Sequence, residues 1–393
     1  MKKLSLLFGI ILSFFFLLSG CTTTQPKTTS NPLVCNSPYI LVGTSCCLDQ
    51  NANNICDRDE VPMQTSPVNQ SLPKPSIQSS STLPIGTATF SSACQCGSQS
   101  AVDHEPGTKT TCKCAQITGC QGVADTTVRL KITEPTGVVK GTVILGTGTG
   151  GGSFYESFGQ PAVNNIILPL LRNGFRVVQR SWFGSNGWLT GPGGPSKLAC
   201  RYATLVDGVY KNIHTSGPMC VSGNSGGSVE IAYALTRYDM GRIIDLAVPT
   251  SGPPFGRLDY GCLGPIDPVW SSQCEGQFSC EFKGQALKLI DAAYGPASQD
   301  CQNRNPLMES TWYNDSVVSP FAQFNYPQTE MRFIFGDADH SEAVPLGKLY
   351  YDAITSSKKI TTVSGGVPHT IPGVDTGAKQ IFADLSEGCV LRH

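Results

Sequence analysis

Short apolar runs alternate with helix-like segments from about residue 128 to the C-terminus. The runs have the length and β-branched content of buried strands, and the segments between them place apolar residues three and four positions apart. Strands are expected at Val128–Thr133, Gly141–Gly146, Gly174–Gln179, Met219–Ser222, Ile243–Val248, Arg332–Phe335 and Lys359–Val363, and helices at Ile166–Asn173, Ala203–Ile213, Val229–Arg237 and Ala378–Leu385. Because strands that alternate with helices pair in parallel, the sequence predicts an α/β fold with a mostly parallel sheet and helices on both faces.

The chain has 393 residues, 17 cysteines and a formal net charge of -1. This cysteine content, without matched CxxC pairs for a metal, indicates disulfides and an oxidising compartment. Five cysteines lie between residues 86 and 123 and seven lie beyond them, so full oxidation requires at least one disulfide between the two groups. Residues 86–393 are therefore expected to form one domain. The absence of a basic excess argues against a nucleic-acid partner.

The N-terminus has the features of a lipoprotein export signal. Lys2 and Lys3 precede an apolar run, residues 4–18, that is short for a membrane span. The run ends in Leu-Ser-Gly-Cys21, which resembles the prokaryotic lipobox, where the cysteine is lipidated and becomes the first mature residue. We expect residues 1–20 to be a lipoprotein signal peptide and Cys21 to hold the protein outside the cytoplasm, at the cell membrane or cell surface. A plain signal peptide with a chance cysteine is the alternative.

Three segments are expected between the signal and the main domain. Residues 21–34 are polar and suit a tether, and residues 61–85 are a Ser/Pro-rich segment that is expected to be a disordered linker. Residues 35–60 contain four cysteines and are expected to form a small Cys-rich module, which is too short to fold without cross-links.

The end of this module contains oxygen-bearing residues at the spacing of a calcium loop. Asp49, Asn51, Asn53, Asp57 and Glu60 occupy the alternating ligand positions of such a loop. However, asparagine replaces the usual glycine at the sixth position, and no helices clearly flank the loop. An Asn/Asp-rich turn held by a disulfide is therefore the main interpretation, and a structural calcium at 49–60 is the alternative.

A candidate nucleophile lies between a predicted strand and a predicted helix. Gly223-Asn-Ser-Gly-Gly227 fits the G-x-S-x-G pattern, in which the serine occupies a strained turn and its neighbours two positions away must be small. An ordinary glycine turn is the alternative, since the chain has 42 glycines. Ser225 is the nucleophile that this motif predicts.

Candidates for the acid follow a later strand. Phe333–His340 is an apolar run that ends in acidic residues and is followed by Val-Pro. Asp339 is expected to be the acid, and Asp337 is the alternative.

The candidate base, His369, follows the last predicted strand, in Gly-Gly-Val-Pro-His. His340 is the rival, but a residue adjacent to the acid points to the other side of an extended chain. The remaining histidines have no such context and are expected at the surface: His104, His214 and His393.

These motifs, in the order Ser, Asp, His, resemble the α/β-hydrolase superfamily from about Asp125 to the C-terminus. The segment Asn-Gly-Phe-Arg-Val-Val at 173–178 is similar to the fourth strand of that family. The resemblance implies an α/β-hydrolase fold and a catalytic triad of Ser225, His369 and Asp339.

The resemblance also implies an oxyanion hole. One amide would belong to Gly226, the residue after the nucleophile, and the other to the glycine-rich loop 147–152. The usual His-Gly of the family is missing there, so Thr149 is expected to supply the second amide and Thr147 is the alternative. A phosphate-binding loop is disfavoured, because no Gly-Lys-Ser/Thr follows.

A long insertion, about residues 252–327, lies where many of these enzymes have a cap, and its four cysteines predict a cap held by disulfides. Its helix-like segment, Phe282–Tyr294, is expected to pack rather than contact substrate. The implied chemistry is acyl transfer on a small-molecule or polymeric ester, with no cofactor required. A peptidase or amidase on the same fold, and an inactive surface binding protein, are the alternatives.

Overall fold

The structure, a computed structural model, describes residue 35 and residues 39–42, 45–48, 82–97, 105–265, 268–274 and 277–390. The chain divides after Lys74 into two compact units. In the first, β1 (Tyr39–Val42) and β2 (Ser45–Leu48) form an antiparallel pair, and a disulfide joins Cys35 to Cys46. The lipidation predicted at Cys21 and the calcium loop predicted at 49–60 lie outside the described residues.

A nine-stranded sheet forms the centre of the second unit. Its strands are β3 (Thr87–Ser91), β4 (Lys109–Thr118), β5 (Thr126–Glu134), β6 (Gly141–Gly146), β7 (Phe175–Trp182), β8 (Met219–Asn224), β9 (Leu246–Thr250), β10 (Glu330–Gly336) and β11 (Lys358–Val363). Their spatial order is β11-β10-β9-β8-β6-β7-β5-β4-β3. The strands β6 to β11 are parallel, whereas β3, β4 and β5 extend the sheet antiparallel beyond β7.

Helices cover both faces of the sheet. They are α1 (Gln160–Ala162), α2 (Leu168–Arg172), α3 (Pro195–Leu198), α4 (Cys200–Asn212), α5 (Gly226–Tyr238), α6 (Leu258–Leu263), α7 (Pro268–Cys274), α8 (Gln285–Tyr294), α9 (Glu309–Asp315), α10 (Ala343–Ala353) and α11 (Asp375–Leu385), with a π turn between α1 and α2.

Successive side chains of a strand point to opposite faces, and in β6 Val143 and Leu145 pack in one core while Ile144 packs in the other. The first core contains α2 and α11, and the second contains α4 and α5. Each predicted strand and helix from residue 128 onward overlaps an observed one. The predicted α/β fold, with a mostly parallel sheet covered on both faces, is confirmed.

The predicted cap insertion lies between β9 and β10 and contains α6 to α9. Two disulfides cross-link it, Cys262–Cys301 and Cys274–Cys280, which confirms the prediction of a cap held by disulfides. Within the part of the chain that the structure describes, no helix combines the length and the apolar composition needed to cross a membrane.

The cysteine-rich segment that precedes the parallel strands forms β3 and β4. Disulfides Cys94–Cys114 and Cys96–Cys112 fasten the end of β3 to β4, and Cys220–Cys389 ties β8 to the C-terminal turn. A further disulfide, Cys120–Cys200, joins the first group of cysteines to the second. The disulfide that was predicted between the five cysteines of residues 86–123 and the seven beyond them is therefore confirmed.

Removing Cys120–Cys200 is expected to destabilise the protein more than removing Cys274–Cys280. The first closes a segment of 80 residues and the second a segment of 6, so loop-closure entropy predicts losses of about 4 and about 2 kcal/mol in the free energy of unfolding. The measurement is chemical denaturation of the two double Cys→Ala variants beside the wild type. Equal losses, or no loss for the long segment, would contradict this expectation.

Candidate active site

Ser225 stands on a strained turn between β8 and α5. Its backbone has φ 53° and ψ -112°, a conformation that residues with a side chain rarely adopt. A Cβ atom added to Gly223 would lie 2.5 Å from the carbonyl carbon of Gly227, so the chain can turn here only because both residues are glycine. The Ser225 N–H donates to the carbonyl of Thr250 on β9, at 2.9 Å. The predicted elbow is therefore formed.

His369 and Asp339 meet at the same end of the sheet. Asp339 follows β10 and His369 follows β11, and the carboxyl ends of parallel strands share one edge of a sheet. Asp339 Oδ2 lies 2.9 Å from His369 Nδ1. Because an ionised carboxylate can only accept, Nδ1 carries the proton, and the neutral ring presents Nε2 as an acceptor.

Ser341 also hydrogen-bonds to the Asp339 carboxylate. Its hydroxyl donates to Asp339 Oδ1 at 2.6 Å, and its N–H donates to the same oxygen at 3.1 Å. Ser341 Oγ also lies 3.2 Å from His369 Nδ1. Asp339 is buried, with a relative exposure of 2%, so these contacts replace the water that would otherwise solvate its charge.

The contact between Asp339 and His369 favours the charged form of each side chain. Burial opposes ionisation of Asp339, but the hydrogen bonds and charge of His369 and the hydrogen bonds of Ser341 hold its pKa below the usual value. Burial likewise opposes the imidazolium, but the hydrogen bond and charge of Asp339, with the charge of Glu342, raise the pKa of His369. This ring can accept a proton and hold it.

The rival candidates lie elsewhere. Asp337 is exposed, and its carboxylate accepts hydrogen bonds from the N–H groups of Gly365, Gly366 and Val367, which lower its pKa. It therefore holds the loop that carries His369, rather than the ring itself. His340 is exposed.

His214 was expected at the surface, but it is half-buried. Its Nδ1 lies 3.1 Å from Thr142 Oγ1, and its ring stacks on Tyr210. His104 and His393 lie outside the described residues.

Two cavities meet at Ser225 and His369. The larger, about 360 Å³, is lined mainly by hydroxyl groups and glycine backbone, and the smaller, about 260 Å³, is lined in part by apolar cap residues. Another cavity of about 360 Å³, near Leu83 and Tyr238, contains none of the predicted site residues, so size alone does not identify the site. The pair of cavities at the elbow is the candidate site.

The candidate oxyanion amides lie beside the elbow. Gly226 is the first residue of α5, so its N–H has no acceptor within the helix. The backbone of Thr149, at φ 55°, approaches so closely that a Cβ on Gly226 would lie 1.9 Å from the Thr149 carbonyl oxygen. Thr149 lines both cavities, whereas Thr147 lines only the larger one. The assignment of the second amide to Thr149, with Thr147 as the alternative, stays a prediction.

An ion pair that the sequence analysis did not identify supports this loop. Arg180 on β7 and Glu230 on α5 are fully buried and paired with each other. Arg180 also donates to the carbonyls of Thr147 at 2.7 Å and Gly151 at 2.9 Å. Burial raises the pKa of Glu230 to about 7, against the opposing effect of Arg180. The available signal was an arginine directly after the predicted strand Gly174–Gln179, since a charge at the end of a buried strand needs a partner.

Helix α8 was expected to pack rather than contact substrate, and the structure agrees only in part. Leu289 packs in the core, but it also lines the smaller cavity together with Gln285 and Ala286. The helix therefore forms a wall of the site as well as a packing surface.

Across the described ranges, no group of three or more His, Cys, Asp or Glu side chains is placed to hold a metal ion. No protein-family model matches the sequence, and no curated protein matches it.

Several solved structures are similar in fold. An acylaminoacyl peptidase from Pyrococcus horikoshii is 12% identical, with a TM-score of 0.47 over 72% of this chain and 42% of that chain. Acetyl xylan esterase 1 from Thermoanaerobacterium sp. is 15% identical, with a TM-score of 0.42 over 72% of this chain and 83% of that chain. Dienelactone hydrolase from Anabaena variabilis is 13% identical, with a TM-score of 0.38 over 72% and 99%. Sequence identities and TM-scores this low assign no activity to the chain.

The Asp339→Asn substitution is expected to lower the pKa of His369, because the amide removes the negative charge that stabilises the imidazolium. Asp337→Asn is the matched control and should leave that pKa at the wild-type value. The measurement is an NMR titration of the imidazole protons, assigned with a His369→Gln variant. An unchanged pKa in the Asp339 variant would show that the pair is not formed in solution.

Proposed function

We propose that the chain is a serine hydrolase of the α/β-hydrolase type, which cleaves carboxylic esters through an acyl-enzyme intermediate. The observation that carries this proposal is the convergence of three groups. Ser225 on its strained turn and His369, hydrogen-bonded to the buried Asp339, line the same two cavities. Such a set is the machinery of acyl transfer on this fold.

In the proposed reaction, His369 Nε2 takes the proton of the Ser225 hydroxyl as its oxygen attacks the ester carbonyl. The carbonyl oxygen becomes an oxyanion that accepts hydrogen bonds from the N–H groups of Gly226 and Thr149. The imidazolium then gives its proton to the leaving alcohol, and the acyl group stays on Ser225. Water, deprotonated by the same ring, attacks the acyl-enzyme, releases the acid and restores the serine.

Asp339 holds the His369 ring in the tautomer that these reaction steps need, and it stabilises the imidazolium that forms. Because only the neutral ring can act as base, the rate is expected to rise with pH as His369 loses its proton. The raised pKa of His369 moves that rise toward higher pH than for an ordinary histidine.

The two cavities support an ester with two unlike parts. Ser153, Ser157 and Ser185 offer hydroxyl groups in the larger cavity, which suits a polar alcohol or acyl portion. Phe255 and Leu289 make the smaller cavity suitable for an apolar portion of modest size. A small-molecule ester or the exposed end of a polymeric ester could present one polar and one apolar portion.

Ser225→Ala is expected to abolish both labelling by a fluorophosphonate probe and hydrolysis of acyl esters, because the probe and the substrate bond to the same oxygen. Ser222→Ala is the matched control. Its hydroxyl, on the preceding strand, donates to the carbonyl of Val248, and Ser222 does not line either cavity of the site. The measurements are in-gel probe fluorescence, a panel of esters and peptide amides, and the thermal midpoint of each variant. Labelling of folded Ser225→Ala protein would exclude Ser225 as nucleophile.

We also propose that lipid on Cys21 anchors the protein at the cell membrane or cell surface. The Leu-Ser-Gly-Cys sequence after an apolar run supports this proposal, as do the seven disulfides that the structure describes, which suit an oxidising compartment. Cys21→Ser is expected to move the protein from the membrane fraction to the soluble fraction, measured by fractionation and intact mass. A wild-type protein without lipid mass on Cys21 would contradict the proposal.

A further inference from the structure

Glu342 is a carboxylate in the candidate site that the proposed mechanism does not use. It immediately precedes α10, three residues after Asp339, and it lines the smaller cavity together with Ser225 and His369. Part of the remaining wall is apolar, with Pro254, Phe255, Ala286 and Leu289, and part is polar, with Thr149, Gln285 and Ser341. Glu342 is thus the one acidic side chain in the lining of this cavity, which is built entirely from described residues.

The Glu342 carboxylate has no partner on another residue within the described part of the chain. It stands at the N-cap of α10 but makes no side-chain capping hydrogen bond. Its own backbone N–H donates to the carboxylate, which lowers its pKa, but no ion pair within 4 Å and no hydrogen bond from another described residue reaches it. Glu281 on the cap, by contrast, is paired with Arg304.

The surroundings of Glu342 make an unpaired charge costly. The side chain is half-buried, and burial raises its pKa, with the negative charge of Asp339 acting in the same direction. The charges of His369 and of the exposed Lys283 act in the opposite direction but do not outweigh burial. A carboxylate that is partly removed from water is stabilised when a cation pairs with it.

We infer that Glu342 binds a protonated amine of the substrate, so that this site selects esters with an ammonium group on the portion that enters the smaller cavity. The inference rests on the proposed function, since it assigns a specificity residue to the same site. An ammonium group offers three donors to the carboxylate, and the apolar wall accommodates the carbon chain that carries it. A charged hydrogen bond of this kind corresponds to about tenfold to a hundredfold in affinity.

The test compares matched esters that differ only by an ammonium in place of a methyl group. One pair carries the difference in the acyl part, as nitrophenyl aminomethylbenzoate and nitrophenyl ethylbenzoate. The other pair carries it in the alcohol part, as aminomethylphenyl butyrate and ethylphenyl butyrate. The wild type is expected to prefer the ammonium ester of at least one pair, and Glu342→Gln to reduce that ratio of kcat/KM by about tenfold or more, mainly through KM.

Two variants isolate the role of the Glu342 charge. Glu281→Gln removes the same charge from the cap but does not touch the cavity, and it should keep the wild-type ratio. Glu342→Asp keeps the charge and should retain the preference at least in part. A ratio that is the same in the wild type and in Glu342→Gln for both pairs would overturn the inference, as would a wild-type preference for the neutral esters.

A binding measurement separates this inference from the proposed function. Benzylammonium is titrated against the wild type and Glu342→Gln, and its affinity is read from the NMR shift of the His369 ring. Weaker binding to the variant supports the cation site even if no ester is hydrolysed, in which case the proposed hydrolysis alone fails. Equal binding to the two proteins counts against the cation site whatever the ester kinetics show.

Discussion

The buried ion pair between Arg180 and Glu230 determines how the parts of the candidate site sit relative to one another. Glu230 belongs to the helix that begins just after Ser225, and Arg180 belongs to β7 and donates to carbonyls of the glycine-rich loop that contains Thr149. Removing one partner of such a pair leaves an uncompensated charge and typically costs about 3–5 kcal/mol. The proposed oxyanion amides therefore come from two segments that one guanidinium and one carboxylate hold together.

The parallel sheet determines where the other residues of the candidate site lie. Parallel pairing aligns the ends of β8, β9 and β10, and the residues that follow strand ends are brought to one edge. Ser225 follows β8, Asp339 follows β10 and His369 follows β11, so three residues far apart in the chain meet at this edge. Residues of the cap line the smaller cavity at this edge, and two disulfides cross-link the cap.

Local patterns were sufficient to predict the strands and helices from residue 128 onward. The apolar runs located β6 and β8, and Asp339, rather than Asp337, lies within hydrogen-bond distance of His369. Contacts between distant segments were not predictable from these patterns. The partner of Arg180 lies 50 residues away in sequence, and the place of Glu342 in the cavity depends on how the cap folds back. The antiparallel extension by β3 and β4 was not predicted, because that segment has few large apolar residues to mark a strand.

The most direct test of the proposed chemistry is the crystal structure of the protein after reaction with a phosphonate ester, which imitates the tetrahedral intermediate. The phosphorus is predicted to be bonded to Ser225 Oγ, with its oxygen accepting hydrogen bonds from the N–H groups of Gly226 and Thr149 and with His369 Nε2 beside the serine oxygen. A phosphorus atom bonded to any other residue, or a phosphonyl oxygen turned away from both amides, would contradict the proposed mechanism.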